Sequence, residues 1–272
     1  MKYENPEIPE GINTTDESPL KEFALLSSGI LLITSAVIFL IVLLTEYTAQ
    51  FIPFEFEQHL VSPIVEEYTQ PSTPTQQYLQ RLADKIVLAQ KLPPEIKIKI
   101  HYVKEDRINA FATLGGHIVI YRGLLEKLPN ETSLSMLLGH EIAHIKYRHP
   151  IKSLSSGLIL QLLWIMVSSN NDVTGILDIT LLTSLSFSRD NETEADEEGL
   201  HSVYNVYQGV NGATDLFKAL QEAQADSSFT PLEYFSTHPD TNSRIIHLDE
   251  LAEKNAWPTD KPPVEKIDLK FN

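Results

Sequence analysis

Residues 130–149 read NETSLSMLLGHEIAHIKYRH, and within them His140-Glu141-Ile142-Ala143-His144 is an HExxH. Four residues advance a helix by about 400°, so His140 and His144 share one face, a turn apart. Two imidazoles at that separation can reach a single tetrahedral zinc ion. Glu141 lies about 100° round, beside the metal rather than on it, where a carboxylate can take a proton from a metal-activated water. Leu134, Leu137, Leu138, Ile142 and Ile145 recur at three and four, as a buried helical face requires. Asn130 or Thr132 can cap the start, and Pro150 is expected to close the helix. With nine histidines in 272 residues, roughly 0.03 HExxH matches would arise by chance. A helix with two surface histidines and a glutamate is the competing reading, and only a third ligand displaces it.

Candidates for that ligand lie downstream in Ser188-Arg189-Asp190-Asn191-Glu192-Thr193-Glu194-Ala195-Asp196, the expected opening of a helix running to about Tyr207. Glu192 and Asp196 are four apart and share a face. A carboxylate there can complete a His-His-Glu site with a fourth position open to water, and Asp196 can accept the free ring N–H of a liganding histidine. An ordinary acidic helix start would look the same, and Glu194, Glu197 and Glu198 compete for the role. Spacing alone does not choose among them.

Elsewhere the chain reads in order. Residues 1–20 are polar and acidic, with the composition of a disordered tail. Ala24 to Leu44 carries no charge over 21 residues, about 31 Å as a helix and long enough to span a bilayer. No convincing cleavage site follows, so a retained anchor is expected over a signal peptide. Lys2 and Lys21 precede the span and no Lys or Arg follows until Arg81, which places the N-terminus in the cytoplasm and the rest outside, periplasmic in a Gram-negative source. Residues 46–74, with four prolines, read as a linker or an extended wrap. Thr75 to Lys91 has helical spacing. Ile96 to Tyr102 alternates as a strand, and Ile108–Leu114 joins His117–Tyr121 through Gly115-Gly116 as a hairpin. A small antiparallel sheet is therefore expected before the HExxH helix.

Leu154–Val167 and Val173–Phe187 are apolar but short for membrane spans, and read as buried helices or a lip resting on the membrane. Ala213–Ala223 is helical in pattern, Asp240 or Thr241 can cap a last helix through Leu251, and the proline-rich tail from Trp257 is expected to pack loosely. There is no cysteine, so there are no thiolate ligands and no cysteine nucleophile. A formal charge of −16 without a basic cluster argues against nucleic-acid binding.

Together, Asn109-Ala-Phe-Ala-Thr-Leu-Gly-Gly-His-Ile-Val-Ile-Tyr-Arg-Gly-Leu-Leu125, the HExxH, the Ser-Arg…Glu…Ala-Asp segment and His238-Pro239…Arg244-Ile245 resemble the zinc metallopeptidase family of HtpX-type proteases and CAAX prenyl endopeptidases, nearest its small BepA-like members. Leu114 departs from the proline that many relatives carry before Gly-Gly. The resemblance implies an α+β fold: a mostly helical, zincin-like (gluzincin) domain with a small antiparallel sheet behind one transmembrane helix. The implied organisation is a tail at 1–22, an anchor at 23–45, a linker at 46–74, the peptidase domain at 75–255 and a tail at 256–272. It implies one zinc per chain on His140, His144 and Glu192, with Glu141 as general base and Asp196 behind a ligand. His238 would approach the open side of the metal, masking it or stabilising the tetrahedral intermediate, and Arg244 would hold that loop or a substrate carbonyl. The expected activity is membrane-anchored endopeptidase action on proteins or peptides in envelope quality control. CAAX processing is not expected, because those relatives use several spans. The alternative class is a tethered chaperone-like or binding protein with a latent zinc site.

Overall fold

The computed structural model describes residues 18–49, 51–65, 73–154, 185–226, 234, 238 and 241–266. The tail over 1–17 and most of the apolar stretches at 154–167 and 173–187 lie outside the described residues. Contacts divide the chain into Met1–Leu44 and Thr45–Asn272. Helix α1 is Pro19–Ala49, and its stretch Pro19–Leu40 is the one described helix long and apolar enough to cross a membrane. Its Leu31, Ile33 and Phe39 are exposed.

Residues read as a linker hold helix α2, Phe54–Val65. Phe54, Glu57, Val61 and Val65 recur at three and four and are buried. This face packs on a 3-10 turn at Leu114–Gly116, where Glu57 accepts the Gly115 N–H at 3.1 Å and pairs with Arg148 at 2.5 Å. Helix α3, Pro74–Ala89, starts under Thr73, whose hydroxyl accepts from Gln76 N, and Pro74 occupies the first turn, where no N–H is needed.

Strands β1 (Lys99–Val103), β2 (Ala110–Ala112) and β3 (His117–Tyr121) form one sheet in the order β1-β3-β2. The expected hairpin is there: β2 runs antiparallel to β3, with Phe111 opposite Val119. Gly116 (φ 86°) makes that turn possible, since a Cβ would lie 2.0 Å from the Lys97 carbonyl oxygen. The sheet is mixed, however, not antiparallel throughout, because β1 runs parallel to β3 with Ile100 opposite Ile118. Residues 104–109 carry the chain past one strand position, about 5 Å, and leave the gap that β3 fills.

Helix α4 is Arg122–Lys127, and α5, Glu131–Lys146, is the HExxH helix. Asn130 caps α5, accepting from Ser133 N at 2.7 Å while the Ser133 hydroxyl faces the Asn130 N–H. Every residue from Glu131 to Ile145 is buried, which makes α5 the central helix of the domain. Pro150 does not end it. The helix stops at Lys146, Arg148 turns left-handed at φ 62°, and helical backbone resumes over 149–154 with Pro150 in its first turn.

Helix α6, Arg189–Tyr207, is capped by Ser188 and closes on left-handed Gln208. It packs against α5 more extensively than any other described element does. Helices α7 (Asp215–Asp226) and α8 (Thr241–Lys254) complete the layer, with Leu137, Leu138, Ile142, Leu200, Val203, Phe217 and Leu248 in one core. The tail is tied down rather than loose over its described part. Trp257 stacks on Tyr204, Pro258 O accepts from Val210 N, Val264 O accepts from Glu131 N, and Lys266 reaches the Leu125 and Leu128 carbonyls. The prolines forbid a helix there, but they leave these carbonyls free to accept.

Candidate active site

Two helices supply the chemistry. On α5, His140 and His144 are fully buried with their Nε2 atoms 2.9 Å apart, as four-residue spacing dictates. On α6, Glu192 faces them: Oε1 lies 3.4 Å from His144 Nε2 and Oε2 lies 3.6 Å from His140 Nε2. The crossing is close because both helices present glycine. A Cβ on Gly139 would lie 3.0 Å from Gly199 Cα, and one on Gly199 would lie 3.1 Å from His140 N. Gln90, at the end of α3, donates to the Gly139 carbonyl at 2.7 Å and holds α5 from its other side.

Outward of the cluster, each donor is fixed. His140 Nδ1 lies 2.9 Å from Asp196 Oδ1. Arg244 on α8 donates to both Asp196 oxygens, at 2.7 and 2.8 Å, and its Nη1 lies 2.9 Å from Glu192 Oε2. Burial alone would push the Asp196 carboxyl up, but Arg244 and His140 outweigh it and hold it below the usual range. Glu192 follows the same pattern: burial raises it, and His238, His144 and His140 together bring it well down. Arg244 thus turns its guanidinium to two carboxylates and its plane to the Phe217 ring. The Ser-Arg…Glu…Ala-Asp segment and the Arg of the last helix are one connected unit.

Glu141 sits one step round α5, fully buried, and its Oε2 accepts the Ala112 N–H of edge strand β2 at 2.7 Å. Its Oε1 has no hydrogen-bond partner among the described residues and faces His238 Nε2 at 3.6 Å. His238 is fully buried, with Nδ1 3.0 Å from Glu192 Oε1 and 3.2 Å from His140 Nε2. Burial lowers its pKa, yet Glu192 and Glu141 overcome this and raise it. The His-Pro histidine is therefore brought into the same cluster as the HExxH.

These donors fit a metal. The ligating atoms of His140, His144, Glu192 and His238 lie within 4.8 Å of one another. Donors about 2.0–2.1 Å from a tetrahedral ion stand about 3.3–3.4 Å apart, close to the separations seen. Ring nitrogens of His140 and His144 and the Glu192 carboxylate turned to one buried point make a donor set for a cation, and three imidazoles with one carboxylate suit zinc-like ions. A family model for peptidase family M48 matches residues 73–252. The chain belongs to this family.

The mitochondrial metalloendopeptidase OMA1 of Schizosaccharomyces pombe is 28% identical over 180 residues, covering 65% of this chain and 53% of that protein. The mitochondrial metalloendopeptidase OMA1 of Bos taurus is 30% identical over 171 residues, 58% of this chain and 33% of its own. The beta-barrel assembly-enhancing protease of Escherichia coli (strain K12) is 30% identical over 166 residues, 55% of this chain and 34% of that protein. The chain thus spans about half or a third of the length of these relatives. An M48 chain carries a metallopeptidase scaffold, and the buried His140, His144, Glu192 and His238 cluster could hold its metal.

The rival acids on α6 point elsewhere. Glu194 faces His149 at 3.1 Å, Glu197 faces His247 at 2.7 Å, and Glu198 accepts from Tyr147 and pairs with Lys146. Sequence reading missed three contributors. Phe187 stacks on the His144 ring at 4.0 Å, His149 Nδ1 meets His144 Nδ1 at 2.9 Å, and the Gly139–Gly199 contact sets the helix crossing. A glycine directly before the HExxH and another three residues after Asp196 were the available signals for the last.

Proposed function

We propose that this chain is a membrane-anchored, zinc-dependent metalloendopeptidase acting in envelope protein quality control. The observation that carries this is the buried convergence of His140, His144 and Glu192 beside a Glu141 oxygen that has no hydrogen-bond partner among the described residues. His140, His144 and Glu192 would hold the zinc, which when bound would polarise the scissile carbonyl and lower the pKa of the attacking water. Substrate backbone adds to β2 as a further strand, which aligns the scissile bond over the cluster. Glu141 takes the water's proton on Oε1 and passes it to the departing amine. The Ala112 N–H holds Oε2, so the carboxylate keeps one oxygen fixed and the other free to work. Asp196 holds the His140 ring by its Nδ1–H, and Arg244 positions Asp196 and Glu192 rather than touching the substrate.

The anchor is α1, with the N-terminus cytoplasmic and the peptidase domain outside, in the periplasm. The name of the E. coli relative ties that protein to β-barrel assembly, which supports misfolded or stalled outer-membrane proteins as substrates here. Full-length protein in detergent is assayed for zinc content and casein cleavage, with Glu141→Gln in parallel. The variant is expected to keep one zinc and lose cleavage. Cleavage at the wild-type rate in Glu141→Gln sinks the assignment.

A second reading has its own support. His238 lies against His140 and Glu192, where it would mask a bound metal, which supports a latent protein or a tethered binding protein. His238→Ala then raises activity. Unchanged activity and zinc affinity in that variant count against latency.

A further inference from the structure

His144 and His149 are both fully buried, and their Nδ1 atoms lie 2.9 Å apart. Across its ring, His149 Nε2 lies 3.1 Å from Glu194 Oε2, on a side chain that is about half exposed. Two Nδ1 atoms at that distance share one proton, so one ring donates and the other accepts. His144 turns Nε2 to the donor cluster. That nitrogen must keep its lone pair to ligate, which leaves the ring's proton on Nδ1. His149 Nδ1 is then the acceptor, its own proton sits on Nε2, and Glu194 receives it.

We propose that His149 and Glu194 form a relay that fixes the tautomer of His144 and aims its Nε2 lone pair at the metal; this rests on the metallopeptidase reading above. The two liganding histidines are thereby held in different ways. His140 Nδ1 meets a buried carboxylate directly, whereas His144 Nδ1 meets a neutral imidazole that a solvent-facing carboxylate orients. The backbone is shaped for it. Left-handed Arg148 folds the chain back, so that a residue five beyond His144 meets the outer edge of its ring. An arginine in that conformation is strained by its Cβ. Its guanidinium is held by Glu57 at 2.5 Å and by the Ile52 carbonyl at 2.7 Å, which keeps the turn in place. Phe187 stacks on the face of His144 and leaves rotation of the ring to be stopped at its edge, where His149 stands. His149 is a positioning residue, separated from the cluster by the His144 ring.

The test measures zinc(II) affinity of the full-length protein in detergent by competition with a chromophoric chelator. Wild type, His149→Leu and His149→Asn are compared. Asparagine places an acceptor oxygen where Nδ1 stood; leucine fills the volume without one. Loss of an outer partner costs about 10–100-fold in metal affinity, so His149→Leu should weaken zinc by that factor. His149→Asn should stay within about threefold of wild type, as expected for a retained acceptor. Equal loss in both variants would mean that an acceptor at this position does not hold the metal site, and no loss in either would mean that His149 holds nothing; each result overturns the relay. Should His149→Leu fail to fold, imidazole 15N shifts of the zinc-loaded wild type decide. His149 is expected to be protonated on Nε2 and His144 on Nδ1, and protonation of His149 on Nδ1 overturns the proposal. A wild-type protein that binds no zinc removes the metallopeptidase reading and the relay with it. Wild-type binding with unaltered variants removes the relay alone.

Discussion

Replacing Gly139 by alanine would place a methyl carbon 3.0 Å from Gly199 Cα and 3.2 Å from its carbonyl oxygen. Carbon atoms pack at about 3.5–4.0 Å, so the helices must part by at least about 0.5 Å. Helix α5 is held from behind by Gln90 on the Gly139 carbonyl, and so α6 yields. The strain costs about 1–3 kcal/mol, and alanine returns up to about 1 kcal/mol through its better helix propensity. The net loss of stability is therefore about 0–2 kcal/mol. Metal binding is less forgiving. Glu192 rides on α6, two turns before Gly199, and metal–ligand distances tolerate only about ±0.2 Å. We expect Gly139→Ala to weaken zinc by at least tenfold while urea unfolding shows a small change. Both are measured on full-length protein, by chelator competition and by tyrosine and tryptophan fluorescence. Wild-type zinc affinity in a folded Gly139→Ala protein would refute the claim that this crossing sets the site.

Further expectations follow from the same contacts. Arg244→Met leaves Asp196 and Glu192 buried without their cation, a loss of about 3–5 kcal/mol by the rule for broken buried pairs; a chemical-denaturation change under 1 kcal/mol, on the order of an exposed pair, would refute it. Burial, with His101 and Lys99 adding to it, pushes His117 down to about 4. Because the unfolded histidine titrates near 6.5, the unfolded chain binds more protons between those values and stability falls with acid. From pH 7 to pH 4.5 the wild type should lose about 2–3 kcal/mol more than His117→Phe; equal pH sensitivity in the two would refute it. Asn130→Ala removes the α5 cap and a contact to Asp215, with an expected loss of about 1–2 kcal/mol in thermal or urea unfolding.

The parts of this protein that were legible in advance are those governed by short-range rules. The cap at Asn130, the period of α5 and the left-handed demand at Gly115-Gly116 are each written in a few adjacent residues. So is the shared face of His140 and His144. What escaped depends on contacts between distant segments. Spacing leaves four glutamates between 192 and 198 open and only the resemblance names Glu192, because the angle at which α6 crosses α5 is what turns it to the histidines. That angle is fixed by two glycines far apart in the chain. The parallel pairing of β1 turns on how a loop crosses the sheet, which alternation in a strand does not encode. His149 lay one residue beyond a non-glycine with positive φ, a turn that no propensity announces. Pro150 misled for a related reason, since a proline that stops one helix is equally at home starting the next.

The strap over 257–266 has a consequence for the order of events during synthesis. The first backbone N–H of α5 donates to Val264, and the Thr132 hydroxyl accepts from Val264 in return. The helix that carries both histidines is thus closed at its start by residues made more than a hundred positions later. Arg244 and His238 also come late. A chain still emerging from the ribosome holds the HExxH but neither Arg244 nor His238. The contacts that close the start of the HExxH helix and clamp the carboxylates beside it therefore form only after residues 238–266 are made.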